Sequence, residues 1–163
     1  MNQAHFHLVV NHLPIIFPLV GLIVILVGIF TKSEVVKRTA YLIFILSSIA
    51  TVFAMNSGEG AEEVVESIPD VSENNIEKHE EFAEIFSILS YALGLISLAG
   101  IWASLKGKSI SKIISILCIL MTVITLYFAK QTGTTGGEIR HSEIRKAQDA
   151  TNSSSQDTEE DED

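Results

Sequence analysis

The apolar positions of this chain are gathered into four long runs, and the charged positions lie between and after them. The runs cover residues 8–30, 40–55, 82–105 and 113–129, and the only acid inside any of them is Glu84. A soluble protein interleaves apolar and polar residues at helical or strand period. Stretches without charge at this length read as lipid-facing helix. A span needs about 20 apolar residues. The first and third runs meet that, and tilt or snorkelling ends complete the shorter second and fourth. The pattern predicts an all-α protein, a bundle of four transmembrane helices in the lipid bilayer.

Small or weakly polar residues recur along each run at alternating steps of four and three. The first stripe holds Pro14, Pro18, Gly21 and Gly28; the second Ala40, Ser47, Thr51, Ala54 and Gly58. The third holds Ala83, Ser87, Ser90, Gly94 and Ser97. The fourth runs from Ser111 through Ser115, Cys118, Thr122, Thr125, Ala129 and Thr132 to Gly136. Residues at these steps share a helix face. Lipid gives helices no hydrophobic reason to associate, so close approach and small polar contacts must hold them together. The stripes are therefore expected to face the bundle interior.

The connection 31–38 carries Lys32, Lys37 and Arg38 against Glu34, and 105–112 carries Lys106, Lys108 and Lys112 with no acid. Short basic loops stay in the cytoplasm. Both termini and the loop 56–81 are then expected outside, in a cytoplasmic (inner) membrane. Of the 20 acids, all but Glu34 fall on that outer side.

The outer loop is expected to form a short amphipathic helix, because Glu59, Glu63 and Glu66 fall at helical spacing. Pro69-Asp70 is expected to break it, and an acidic turn after Asn74-Asn75 to lead into the third span. The run Thr132-Gly133-Thr134-Thr135-Gly136-Gly137 reads as a flexible break, with a short surface helix over 138–147. The four-helix domain thus covers 1–147. Residues 148–163 form an acidic, Ser-bearing tail that cannot bury apolar surface and is expected to be disordered.

Composition narrows the functions. Of 163 residues, 47% are hydrophobic, and the net charge of −9 excludes the basic patch that a nucleic-acid partner needs. The lone Cys118 can form no intrachain disulfide and is expected to pack as a small hydrophobe. The first Lys is Lys32, so the basic start of a cleavable signal peptide is missing, and the first helix is expected to be permanent. P-loop, GxGxxG and HExxH signatures are absent, and intramembrane charge is nearly so. The chain reads as something other than a stand-alone enzyme or an ion pump.

What chemistry remains lies with five histidines: His5, His7, His12, His79 and His141. Four spans bring all of them to one end of the bundle. His7 and Asn11 extend the first stripe backwards, His79 precedes Ala83 by one turn, and the fourth stripe runs out just before His141. His12 lies about 100° around the helix from Asn11. Neutral imidazole is a strong ligand for haem iron, zinc or copper. Two imidazoles from different helices can clamp a b-type haem without a CxxCH motif. Gly21, Gly58 or Gly136 would let a flat porphyrin approach the backbone. Alternatively, the histidines with Glu80 hold zinc or copper. Plain interfacial anchoring is the competing role for His7, His12 and His79, and solvent exposure that for His5 and His141.

Three segments carry a resemblance. His7-Leu8-Val9-Val10-Asn11-His12-Leu13-Pro14 has the form HxxxxHxP, Lys78-His79-Glu80-Glu81 stands before the third span, and Thr135-Gly136-Gly137-Glu138-Ile139-Arg140-His141 closes the fourth. In this order around four spans they resemble a bacterial four-helix membrane family known as domain of unknown function number twenty-two thirty-one. The likeness covers about residues 4–145 and departs at Leu8, where a proline is common, and in the acidic outer loop. It implies no established activity; haem binding or a redox association is what it suggests. By matching position it points to His7, His12, His79 and His141.

The sequence thus leads to a b-type haem held by two of these four histidines, in electron transfer or redox sensing beside a redox or membrane-complex partner. The alternatives are a zinc or copper site, and a non-catalytic membrane subunit or scaffold whose acidic loop and tail bind a partner.

Overall fold

The computed structural model describes residues 3–66 and 71–140. They form five helices: α1 (Gln3–Val10), α2 (Leu13–Phe30), α3 (Glu34–Glu66), α4 (Glu73–Leu105) and α5 (Ile110–Arg140). α1 and α2 together make the first of four stretches long and apolar enough to cross a membrane, and α3, α4 and α5 make the others. The architecture is a four-helix, multi-pass bundle in which α3 packs on α2 and α4, α5 packs on α4 and closes against α2, and α1 leans on α3. The starts of α1 and α4 and the ends of α3 and α5 meet at one end, the histidine end. Two short turns carrying lysines make the other.

Between 28% and 39% of the apolar window of each span is buried, so most large apolar side chains point outward. Leu19, Leu42, Leu95 and Ile116 are exposed while the small-residue stripes are covered. Polar inside and oily outside is the arrangement lipid selects. The stripes face inward as expected. Ser47, Thr51, Ser87, Ser90, Ser97, Ser111, Ser115, Thr122 and Thr125 are all buried. The stripes lie half-buried where they reach Gly58, Ala83, Thr132 and Gly136.

Hydroxyls bridge the spans. Tyr41 and Ser115 share a bond of 2.7 Å, and Thr51 and Ser90 one of 2.8 Å. Small residues seat the large ones. A Cβ on Gly100 would lie 2.7 Å from Cζ of Tyr41, and one on Gly21 would run into the Phe44 ring. Cys118 is fully buried beside Ser97, the core role expected of it.

Each proline has a local consequence. Pro14 gives no N–H to the end of α1 and sits in the first turn of α2, where a missing donor is tolerated. Pro18 lies inside α2 and cannot donate to the Pro14 carbonyl one turn back. Ser47 of α3 does so instead, Oγ to O, 3.1 Å.

Both turns at the lysine end close in the same way. The Ser33 N–H bonds the Gly28 carbonyl and the Lys32 N–H that of Ile29; the Lys108 N–H bonds the Ala103 carbonyl and the Gly107 N–H that of Ser104. These are Schellman caps, and each needs a left-handed residue. That residue is Gly107 (φ 61°) in one and Lys32 (φ 53°) in the other. Beside them Glu34 pairs with the buried Lys37 and accepts from Ser104 at 2.7 Å and Ser111 at 3.5 Å, tying α3 to α4 and α5.

Three sequence expectations change. The acidic stretch from Glu59 to Glu66 is helical, but it prolongs α3 and does not stand as a separate outer-loop helix. The Thr132–Gly137 run is no break: α5 continues to Arg140 while packed along α4, and its threonines satisfy their hydroxyls on carbonyls within the helix. The helices also extend well past the apolar runs 40–55 and 113–129. The break at Pro69-Asp70, the surface helix beyond Arg140 and the acidic tail lie outside the described residues.

Candidate functional site

His7 stands near the start of the first span and turns to the end of α3. Its Nδ1 lies 3.0 Å from the Ala54 carbonyl oxygen and 3.0 Å from Ser57 Oγ. His79 stands one turn before the apolar part of α4 and turns to the end of α5. Its Nδ1 lies 3.0 Å from the Thr132 carbonyl oxygen and 3.2 Å from Thr135 Oγ1. Both rings are half-buried.

These partners settle where the proton sits. A carbonyl oxygen can only accept, so each Nδ1 must donate. In the neutral imidazole Nε2 then keeps its lone pair. An Nδ1–H held by a backbone carbonyl is the usual support for a histidine that ligates through Nε2.

A glycine flanks each ring. A Cβ on Gly58 would lie 3.8 Å from Cε1 of His7, an ordinary contact. A Cβ on Gly136 would lie 3.0 Å from Cε1 and 3.3 Å from Nδ1 of His79, so no larger residue fits without moving the ring. Gly21, the third glycine expected beside the ligands, instead packs under Phe44 in the core. One turn beyond His7, the buried Oδ1 of Asn11 has no hydrogen-bond partner. A buried acceptor of that kind calls for a donor from a bound molecule or a water.

The other residues singled out from sequence do not join this pair. His12 is exposed, and its Nδ1 bonds the Leu8 carbonyl at 3.2 Å. It thereby caps a carbonyl left free where α1 ends, which accounts for its place on another face. Glu80 is exposed and meets Glu62 of α3. His5 is exposed, and His141 lies outside the described residues. Among the described residues no three His, Cys, Asp or Glu side chains gather to hold a metal ion, so the zinc or copper set gains nothing from the geometry.

Two residues at the site have no such role in the sequence pattern: Ser57, and Thr135, which there belongs to the expected break and the closing motif. Each falls one position before a stripe glycine, off the stripe itself. A signal was present, because Ala54-x-x-Ser57-Gly58 and Thr132-x-x-Thr135-Gly136 place a carbonyl, a hydroxyl and a glycine at the same spacing.

No family model matches the chain, and comparison with curated proteins and with solved structures gives no match either.

Proposed function

We propose that this protein is a multi-pass protein of the bacterial cytoplasmic membrane that binds one b-type haem, which His7 and His79 would hold. The observation that carries the reading is the paired presentation of the two imidazoles. Each comes from a different span, each has its Nδ1–H engaged by a backbone carbonyl, and each has Nε2 left as a donor beside a glycine. A bis-imidazole donor set suits haem iron. The glycines let each imidazole lie close against the helix that holds its Nδ1–H, and the orphaned Asn11 oxygen adds a polar group for a bound molecule or its water.

When bound, the haem supplies reversible one-electron chemistry. The chain's own residues hold the two imidazoles in register, keep bulk water from the faces packed against α3 and α5, and fix which nitrogen carries the proton. Electron transfer with a redox partner, or haem-based sensing, is the role that follows. The basic turns support an orientation with the lysine end in the cytoplasm and the histidine end outside. The likeness to the four-helix family of unknown function belongs to the same proposal.

The test is an absorption spectrum of detergent-purified protein from haem-replete cells. A Soret band with sharp α and β bands on reduction is expected, lost in His7→Ala and in His79→Ala and retained in His12→Ala and Glu80→Ala. Colourless wild-type protein that also takes up no added hemin overturns the reading.

A further inference from the structure

We propose that Ser57 and Thr135 are positioning residues: each is the second acceptor that locks a ligand imidazole in its Nδ1–H form, and the two make one presentation device used twice in the fold. The ligand rests on the haem reading above; the device itself rests on the geometry alone.

Each hydroxyl has one proton, and a neighbouring helix carbonyl takes it. Ser57 Oγ donates to the Ala54 carbonyl at 3.0 Å. Thr135 Oγ1 lies 3.0 Å from the Gln131 carbonyl oxygen and 3.2 Å from that of Thr132. The hydroxyl oxygen is then left to accept, and it faces Nδ1 of the histidine at 3.0 Å for Ser57 and 3.2 Å for Thr135. Both groups in front of each Nδ1 are therefore acceptors, and the Nδ1–H is shared between them. A carbonyl alone leaves the ring free to pivot about a single bond. Two acceptors, one turn apart on the same helix, fix both its tautomer and its plane.

The duplication is specific. Towards the histidine end, α3 and α5 each carry a carbonyl at one position, a hydroxyl three residues on and a glycine next. Each is served by a histidine from the span packed beside it. The other buried hydroxyls of the bundle bond backbone carbonyls or other side chains, as Ser47 does with Pro14 and Tyr41 with Ser115. A hydrogen bond at the far nitrogen raises the basicity of a ligating imidazole, and its loss weakens binding by roughly 10–100-fold. It also tunes the potential of the iron.

The experiment uses full-length protein with 15N-labelled histidine in lipid nanodiscs, before and after hemin is added. In the ligand-free protein the 15N spectrum is expected to show His7 and His79 as Nδ1–H tautomers. Thr135→Val keeps the shape of the side chain and removes its hydroxyl. It should free the His79 ring to turn about its one remaining carbonyl bond, shifting and broadening its 15N resonances, weaken hemin binding by about tenfold and move the midpoint potential upward. Thr135→Ser should restore all three, and Ser57→Ala should do to His7 what Thr135→Val does to His79. A His79 spectrum unchanged in Thr135→Val overturns the proposal, whatever hemin does. Wild-type protein that binds no hemin, with the His79 resonances still changed by Thr135→Val, overturns the haem reading and leaves the device standing.

Discussion

Ser47 on α3 donates its hydroxyl to the carbonyl of Pro14 on α2, 3.1 Å away, and that carbonyl is the one Pro18 cannot serve. A helix in lipid has no water to satisfy a freed carbonyl, so a neighbouring span must. Ser47→Ala should therefore cost about 1–2 kcal/mol, the usual penalty of an orphaned buried acceptor. Pro18→Ala restores the intrahelical donor, and in that background Ser47→Ala should cost little. Unfolding of the four proteins of this cycle in mixed micelles checks it. Equal costs in both backgrounds would show that the bond does not compensate for the proline.

Lys32 adopts φ 53° to cap α2, where its counterpart at the other turn, Gly107, has φ 61°. The left-handed region costs a residue with a Cβ about 1–2 kcal/mol. Lys32→Gly should raise stability by about 1 kcal/mol, and Gly107→Ala should lower it by a similar amount. Thermal unfolding in detergent reads both. Keeping a lysine there despite the strain fits its place in a basic turn, where charge directs insertion.

Much of this architecture was legible in the sequence, because lipid imposes strong rules. Runs without charge gave the four spans, and alternating steps of four and three gave the buried faces almost residue by residue. Helix ends were harder. The spacing of Glu59, Glu63 and Glu66 reads as a separate outer helix, yet they continue α3, because beyond the apolar run the helix needs no apolar face. The glycines after Thr132 misled for the opposite reason: propensity marks a break, while packing on α4 keeps the helix whole. At the site, convergence of His7 and His79 followed from span order alone. Their separation from His12 did not, because it rests on a local bond of the His12 ring to the Leu8 carbonyl one turn back.

The shared end for α1, α4 and the last turns of α3 and α5 predicts a simple labelling pattern. Cysteines replacing His5 and Glu80, both exposed, should react with a membrane-impermeant thiol reagent from one side. Cysteines replacing Lys32 and Lys106 should react only from the other. Native Cys118 is fully buried and should stay silent, so it need not be removed. Labelling of positions 5 and 80 from opposite faces would break the bundle order on which the paired histidines depend.

Gly136 and Gly58 occupy equivalent places beside the two imidazoles but leave different room, and this asymmetry makes the sharpest test of the site. A methyl at 136 would press on Cε1 of His79 at 3.0 Å, tighter than packed carbon atoms accept, whereas one at 58 would meet His7 at 3.8 Å. His79 is held at Nδ1 by two acceptors on the same helix as the intruding methyl, so the ring cannot retreat without stretching those bonds. Gly136→Ala should therefore lower the haem content of purified protein by about tenfold, the low end of the loss expected when the support of a ligating imidazole is disturbed. Gly58→Ala should stay within about twofold of wild type, since its new methyl makes only ordinary contact. Helix propensity favours alanine over glycine at both positions, so an unfolding scan should show neither variant losing helix. The contrast then reports the position of one ring: equal haem content in the two variants would mean that the imidazole of His79 does not lie against Gly136 when the ligand is bound.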